Sequence, residues 1–363
     1  MNVLHLQLSG GLGGISVLCR DINRISKHNN YFYFIFEGGC VADDIASEGG
    51  IVCVPCESHK KLLSGALHFI KYCKENNINV VLDHTGSPVT RFYHVIAAKL
   101  LKNVKFILYL HSNADKKFGA YQQKFKQLAY EKILISAYRN SSCAAAISQS
   151  VKDSFVKIYG FDNEKVKLVF NGIDVKKFYH INSKNDDFNI IYVGRLIPVK
   201  GIHLLINAVV QLDNSYRIKL YIVGNGPEYY VNSLKNIVKS NNMEEKIVFT
   251  GPQNDVTRYL AQSDIFVHPA ICEEGFGITL VEAMASSLPC IAFNKGAVPE
   301  IIEPGKNGLI VNEESPKALS AAIDELYIAW KSGNIENMRN DAIKTSKKFT
   351  IENTVKSLEA LYE

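Results

Sequence analysis

Nowhere in the 363 residues does an apolar run reach the roughly 18–20 residues needed to span a bilayer. The start, Met1 to Leu12, lacks the charged opening, long apolar run and small-residue cleavage site of a secretion signal. A cytoplasmic location is therefore expected. There is no short-period repeat and no low-complexity segment, which argues against solenoids and disordered tails. The eight cysteines (Cys19, Cys40, Cys53, Cys56, Cys73, Cys143, Cys272, Cys290) are scattered. Cys53-Val-Pro-Cys56 with His59 nearby suggests zinc or redox chemistry, but no second ligand pair stands at a suitable spacing. Most of these thiols lie in apolar segments, as small hydrophobes do.

Hydrophobic residues make up 47% and charged residues 21%, the balance of a folded chain, and the length suits two domains. The net charge of +5 is unevenly spread. Residues 1–180 carry 23 Lys and Arg against 14 Asp and Glu; residues 181–363 carry 18 against 22. Either the first half faces something anionic or its surface is simply rich in lysine.

Short apolar runs alternate with amphipathic stretches. Strands are predicted at Asn2–Leu8, Tyr31–Phe36, Ile51–Val54, Val80–Leu82, Lys105–Leu110 and Cys143–Ile147, with helices at Ile15–Lys27, Lys60–Glu75, Arg91–Leu101 and Gln122–Arg139. The polar stretch His180–Asp187 reads as a linker. The pattern then restarts. Strands fall at Asn189–Val193, Lys219–Val223, Ile247–Phe249, Ile265–His268 and Cys290–Phe293. Helices fall at Ile202–Leu212, Glu228–Ser240, Val256–Gln262, Ile278–Ser286 and Pro316–Lys331. Strand–helix alternation implies parallel sheets with right-handed crossovers, so the fold class is α/β with two doubly wound Rossmann-like domains. The first spans 1–179 and is joined by a terminal helix within 348–363; the second spans 188–347. Ligands of such sheets bind beyond the carboxyl ends of the strands.

Several motifs stand at those ends. Ser9-Gly10-Gly11-Leu12-Gly13-Gly14 opens a helix after the first strand, where free N–H groups attract an anion. It also reads as a tight strand-to-helix turn, and it lacks the clear acidic partner of the dinucleotide fingerprint, for which Glu37 is the nearest candidate. In Gly194-Arg195-Leu-Ile-Pro-Val-Lys200-Gly201, two cations beside a helix start suit a diphosphate. Val223-Gly224-Asn225-Gly226-Pro227 permits close backbone approach, to a ligand or to another loop. The strongest signal is Glu274-Gly275-Phe276-Gly277-Ile278-Thr279-Leu280-Val281-Glu282. One carboxylate sits in a glycine-rich loop and the other in the following helix, placed to accept hydroxyls of a sugar and a ribose, while the helix start points at phosphate. His111, in Leu110-His111-Ser112-Asn113-Ala114-Asp115, closes a strand of the first half.

In this order, with Phe249-Thr250-Gly251, Gly296-Ala-Val-Pro299-Glu300, Ile147-Ser148 and Asn171-Gly172-Ile173-Asp174, these motifs resemble those of retaining glycosyltransferases of the GT-B fold, the large glycosyl transferases group 1 family. The resemblance covers essentially the whole chain and implies two domains facing a cleft. It implies that Arg195 and Lys200 hold the donor diphosphate and Glu282 the ribose. Glu274 then contacts the donor sugar, helped by backbone groups of Gly275, Phe276 and Gly277. Gly194, Gly224, Gly226, Ile278 and Thr279 complete the donor site, His111 reaches the sugar, and Gly13 and Gly14 lie near the phosphates or the acceptor. His111, Glu274, Arg195 and Lys200 are the implied catalytic set. No metal and no cofactor is implied, and no Asp-x-Asp pair ends a strand. The implied reaction moves a hexose or N-acetylhexosamine from a nucleotide diphosphate-sugar, UDP before GDP, to a sugar acceptor, lipid-linked, in surface polysaccharide or glycolipid assembly. Nucleic acid is not an implied partner. One departure is Ala297, where the family usually has a second glycine. Two other classes share these features, a sugar-nucleotide epimerase of the same fold and a non-catalytic binding subunit.

Two segments of the first half interleave cations with apolar residues. Lys60, Lys61, Lys71 and Lys74 alternate with Leu62, Leu63, Leu67, Phe69 and Ile70. Lys116, Lys117, Lys124, Lys126, Lys132 and Arg139 alternate with Phe118, Tyr121, Phe125, Leu128 and Tyr130. Such a face suits peripheral contact with an anionic membrane surface, or packs its apolar members on the sheet.

Overall fold

The computed structural model describes residues 1–11, 13–55, 62–101, 103–115, 124–181 and 187–363. Cys56, His59, Lys60, Lys61, Lys116, Lys117, Phe118 and Tyr121 therefore lie outside the described residues, as does most of the expected linker. The chain divides into two compact units, Met1–Gly172 with Ile351–Glu363, and Ile173–Thr350. The change of unit falls ahead of the polar stretch 180–187.

The first unit holds seven strands, β1 (Asn2–Ser9), β2 (Asn29–Glu37), β3 (Ile51–Cys53), β4 (Val80–Asp83), β5 (Lys105–Leu110), β6 (Cys143–Ala146) and β7 (Val166–Leu168). They form one sheet in the order β3-β2-β1-β4-β5-β6-β7, and every pairing is parallel. The second unit holds β8 (Phe188–Val193), β9 (Ile218–Val223), β10 (Ile247–Gly251), β11 (Ile265–His268), β12 (Cys290–Phe293) and β13 (Gly308–Val311), in the order β10-β9-β8-β11-β12-β13, again all parallel. In each sheet the order reverses beside its first strand, and that switch point opens a crevice at the carboxyl ends.

Central strands such as β4 and β8 are buried along their whole length, as sheets covered by helices on both faces require. Helix ends are chemically marked. Ser87, Ser148 and Ser315 each accept an N–H of the first turn, and Gly160 closes a helix in the left-handed conformation. Helices Cys40–Ser47, Gln149–Tyr159 and Glu336–Ser346, and strands β7 and β13, go beyond the sequence-based expectation. β7 carries a lysine at its centre and β13 opens on a glycine, which leaves each with a shorter apolar run than an equally short strand such as β12. Phe69, expected on an exposed basic face, is fully buried, with ring contacts to Tyr33 and His94. Leu67 and Leu128 are exposed. Among the described residues no helix is long and apolar enough to cross a membrane.

Candidate active site

In the second unit the loops that follow β8, β9, β11 and β12 interlock at the carboxyl edge of the sheet. Backbone meets backbone there, which is why glycine recurs. A Cβ on Gly224 would lie 1.9 Å from the Gly194 carbonyl oxygen, and one on Gly226 1.8 Å from that of Leu196. The Leu196 N–H donates to the Asn225 carbonyl at 2.8 Å. Gly201, at φ 68°, comes equally close to Pro269. Gly224 and Gly226 thus have a packing cause of their own, apart from any ligand.

That packing sets Lys200 at the end of a one-turn helix, Pro198–Lys200, just before the helix Ile202–Val210. Its Nζ donates to Glu274 Oε2 at 2.6 Å. His268, the last residue of β11, lies with Nε2 3.0 Å from the same oxygen. Burial pushes the Glu274 carboxyl up, but the His268 hydrogen bond, with the charges of His268 and Lys200, outweighs it and brings the pKa down to about 2. Glu274 is ionised at any working pH. The next loop clamps it from above: the Ala297 N–H donates to the Glu274 carbonyl at 2.9 Å, and the Gly296 N–H to the Glu273 carboxylate at 2.7 Å. Gly296 has φ 53°, and a Cβ there would lie 2.1 Å from the Glu274 carbonyl oxygen. Ala297 needs no such freedom, since its φ is −81° and its methyl is buried.

Gly277, at φ 88°, starts the helix Ile278–Ala285. Ile278 and Thr279 form its first turn, where unpaired N–H groups can meet an anion. Glu282 sits half-buried in its second turn. The Phe276 ring is buried edge-to-face against Phe349, 5.4 Å between centroids. What that residue offers a ligand is left to its backbone. Arg195 is exposed and makes no ion pair among the described residues; its carbonyl accepts the Tyr192 hydroxyl.

In the first unit Gly11, Gly13 and Gly14 border open space, with nothing within 4 Å of an added Cβ. They line a cavity of about 300 Å³ together with Ser9, Ser16 and His84. His111 lines an adjoining cavity of about 340 Å³ with Thr85, Arg91 and Asn113. Its Nε2 lies 2.9 Å from His84 Nδ1, and burial, with the Arg91 charge, lowers its pKa to about 3. His268, His84 and Glu273 were not among the residues expected from sequence. His268 was within reach of such reasoning, because it closes a predicted strand six residues before Glu274. Among the described residues, His5, Cys19 and His84 also bring a metal-ligand type of atom within 4.8 Å of one another.

A carboxylate paired to a lysine beside a helix start, at the carboxyl edge of a doubly wound sheet, suits a polar and anionic ligand. The model for glycosyl transferases group 1 matches residues 175–349, and that for glycosyltransferase family 4 matches residues 18–177. The chain belongs to the glycosyl transferases group 1 family, and it is a glycosyltransferase. It is 28% identical over 291 residues to an uncharacterized glycosyltransferase of Methanocaldococcus jannaschii, covering 74% of this chain and 72% of that one. It is 29% identical over 209 residues to the O-antigen chain mannosyltransferase of Salmonella typhimurium, covering 57% of each. HepE of Anabaena, solved in complex with UDP, shares the fold with a TM-score of 0.87 at 20% identity, over 99% of both chains. The fold is GT-B.

Proposed function

We propose that this enzyme transfers a hexosyl or N-acetylhexosaminyl group, with retention, from a UDP-sugar to a lipid-linked sugar acceptor in surface polysaccharide or glycolipid assembly. The observation that carries the donor reading is the Lys200–Glu274–His268 contact beside a helix start. Arg195, Lys200 and that helix start take the diphosphate, and Glu282 takes the ribose. Glu274, ionised and held by its two partners, accepts sugar hydroxyls, and in the first unit His111 is itself a hydroxyl acceptor. UDP is favoured by analogy with the nucleotide bound to HepE.

Glycosyl transfer builds positive charge at the anomeric carbon and negative charge on the departing phosphate. Fixed cations stabilise that leaving group. The acceptor hydroxyl attacks from the face the phosphate leaves, and the phosphate takes its proton, so no covalent carboxylate nucleophile is assigned. Exposed Leu67 and Leu128, on helices that also carry Lys71, Lys74, Lys126 and Lys132, support contact with an anionic leaflet. The two helices flank a third, Pro88–Lys99, which packs on both.

The test is a panel of UDP- and GDP-sugars. A cognate donor raises the melting temperature as RT ln(1 + [L]/Kd), and NMR of the product reads the anomer. Release of an epimer from the donor alone would favour the epimerase reading, and no stabilisation by any donor would defeat both. Liposomes of anionic and neutral lipid decide the membrane part: no sedimentation with anionic vesicles at low salt removes it.

A further inference from the structure

Strands β1, β4 and β5 are neighbours in the sheet, and each brings a histidine to one line. His5 lies within β1, His84 just after β4 and His111 just after β5. His5 Nε2 is 3.2 Å from Asn30 Oδ1, His5 Nδ1 is 3.2 Å from His84 Nε2, and His84 Nδ1 is 2.9 Å from His111 Nε2. His5 and His84 are buried.

Each contact between ring nitrogens needs one proton and one lone pair, and a neutral imidazole has one of each. One end of the line therefore decides all of it. Asn30 Nδ2 faces the His28 carbonyl at 3.3 Å. A carbonyl only accepts, so the amide nitrogen belongs on that side and the amide oxygen on the side of His5. That oxygen also only accepts. His5 then carries its proton on Nε2 and accepts at Nδ1 from His84 Nε2–H. His84 accepts at Nδ1 from His111 Nε2–H. The nitrogen left over is His111 Nδ1, which this line leaves without a proton, on a residue that lines the adjoining cavity. Burial keeps the three rings neutral, holding His5 at about 4, His111 at about 3 and His84 well below the ordinary value.

We propose that Asn30, acting through His5 and His84, holds His111 in the tautomer whose bare Nδ1 serves the adjoining cavity as a hydrogen-bond acceptor. Asn30, His5 and His84 are positioning residues. The chemistry that fits such an acceptor is a neutral hydroxyl, as on a sugar; a phosphate or carboxylate oxygen would meet lone pair with lone pair. This deepens, and rests on, the reading of His111 as a sugar-contacting residue.

A metal ion among His5 Nδ1, His84 Nε2 and Cys19 Sγ is the competing arrangement, and it requires the opposite protons on His84 and His111. His84 would carry its proton on Nδ1 and donate to His111, whose own proton would move to Nδ1. The two arrangements place opposite protons on His111, so the proton position on that ring tells them apart.

The experiment is a long-range proton–nitrogen correlation spectrum of the full chain labelled with 15N-histidine, without substrate, at neutral pH. His111→Gln serves to assign the signals. The expected result is His111 protonated on Nε2 and bare on Nδ1. In Asn30→Leu, which removes the acceptor, a population of His111 protonated on Nδ1 appears. With the donor identified by the nucleotide-sugar panel, the variant loses about fivefold in kcat/KM, an effect of the size of one hydrogen bond. His111 protonated on Nδ1 in the native chain overturns the proposal, and metal found in the purified protein would then explain it. Should Asn30→Leu fail to fold, the native spectrum alone still decides. An unchanged His111 tautomer in folded Asn30→Leu overturns the role of Asn30. Absence of transfer from every donor strikes the reading of the substrate instead, since the proton positions are read without one.

Discussion

Lys200 and Glu274 illustrate how one contact answers two demands. In the function proposed above the carboxylate accepts hydroxyls, for which it is ionised and fixed, and the ammonium meets phosphate. Their 2.6 Å pairing, with about five-sixths of each side chain shielded from water, orders both before a ligand arrives. Lys200→Ala is expected to lower kcat/KM at least about tenfold, roughly 1.4 kcal/mol of transition-state stabilisation. The fold is checked by circular dichroism, and unchanged kcat/KM in the folded variant would remove Lys200 from the donor site. Both residues were visible in the sequence as motif members. Their contact was not, because 74 positions separate them and only the sheet order brings the ends of β8 and β11 side by side. His268 was hidden for another reason, since a histidine ending an apolar strand looks like any satisfied core residue until its partner is known.

At the scale of the element, the glycines divide into two kinds that sequence cannot tell apart. Gly226 is required by packing: its Cβ would collide with a carbonyl oxygen of the neighbouring loop. Gly226→Ala should cost at least about 2 kcal/mol, a strain that the interlocked loops cannot relax. Gly13 has extended backbone, φ −173°, and borders open space. Gly13→Ala should leave thermal stability nearly unchanged and lower transfer only if a ligand comes close to that backbone. Melting curves and kinetics on the two variants separate the cases. Equal loss of stability in both would contradict the packing argument. The strand–helix alternation was legible because period and composition are local properties. β7 and β13 were not, because a central lysine in one and an opening glycine in the other shorten the apolar run.

For the whole molecule, the line of buried neutral histidines makes acid costly. His5, His84 and His111 have folded pKa values below the ordinary 6.5, so as pH falls below about 6.5 the unfolded chain binds protons that the folded one refuses. Stability is full above that value and declines toward pH 4. The groups facing the rings, Asn30, Cys19, Tyr109 and Arg91, include no carboxylate that touches them to offset this. Guanidinium melts at pH 7.5, 6 and 5 should show the decline, and His84→Gln should flatten it. A level profile in the native protein would count against neutral buried rings. Metal gives a second test at this scale. The proposed function meets phosphate charge with Arg195, Lys200 and a helix start, and on it transfer is expected to survive excess EDTA. Loss that magnesium or manganese restores would reveal a metal-dependent step.

The sequence by itself determined that the chain folds as two parallel-sheet units and that its motifs sit at strand ends, because hydrophobic period, turn residues and motif order are written along the chain. It also determined the family, through motifs whose order spans both units. Tertiary structure decided which of those residues meet. Lys200 with Glu274 and His268, Gly296 over Glu274, and His5 with His84 and His111 are contacts across strands far apart in sequence. Parallel crossover topology creates such contacts, and no local pattern encodes them. The protonation of His111 is decided furthest from its own position, by an asparagine 81 residues away, because a proton's place in a hydrogen-bonded line is set by the group at its end.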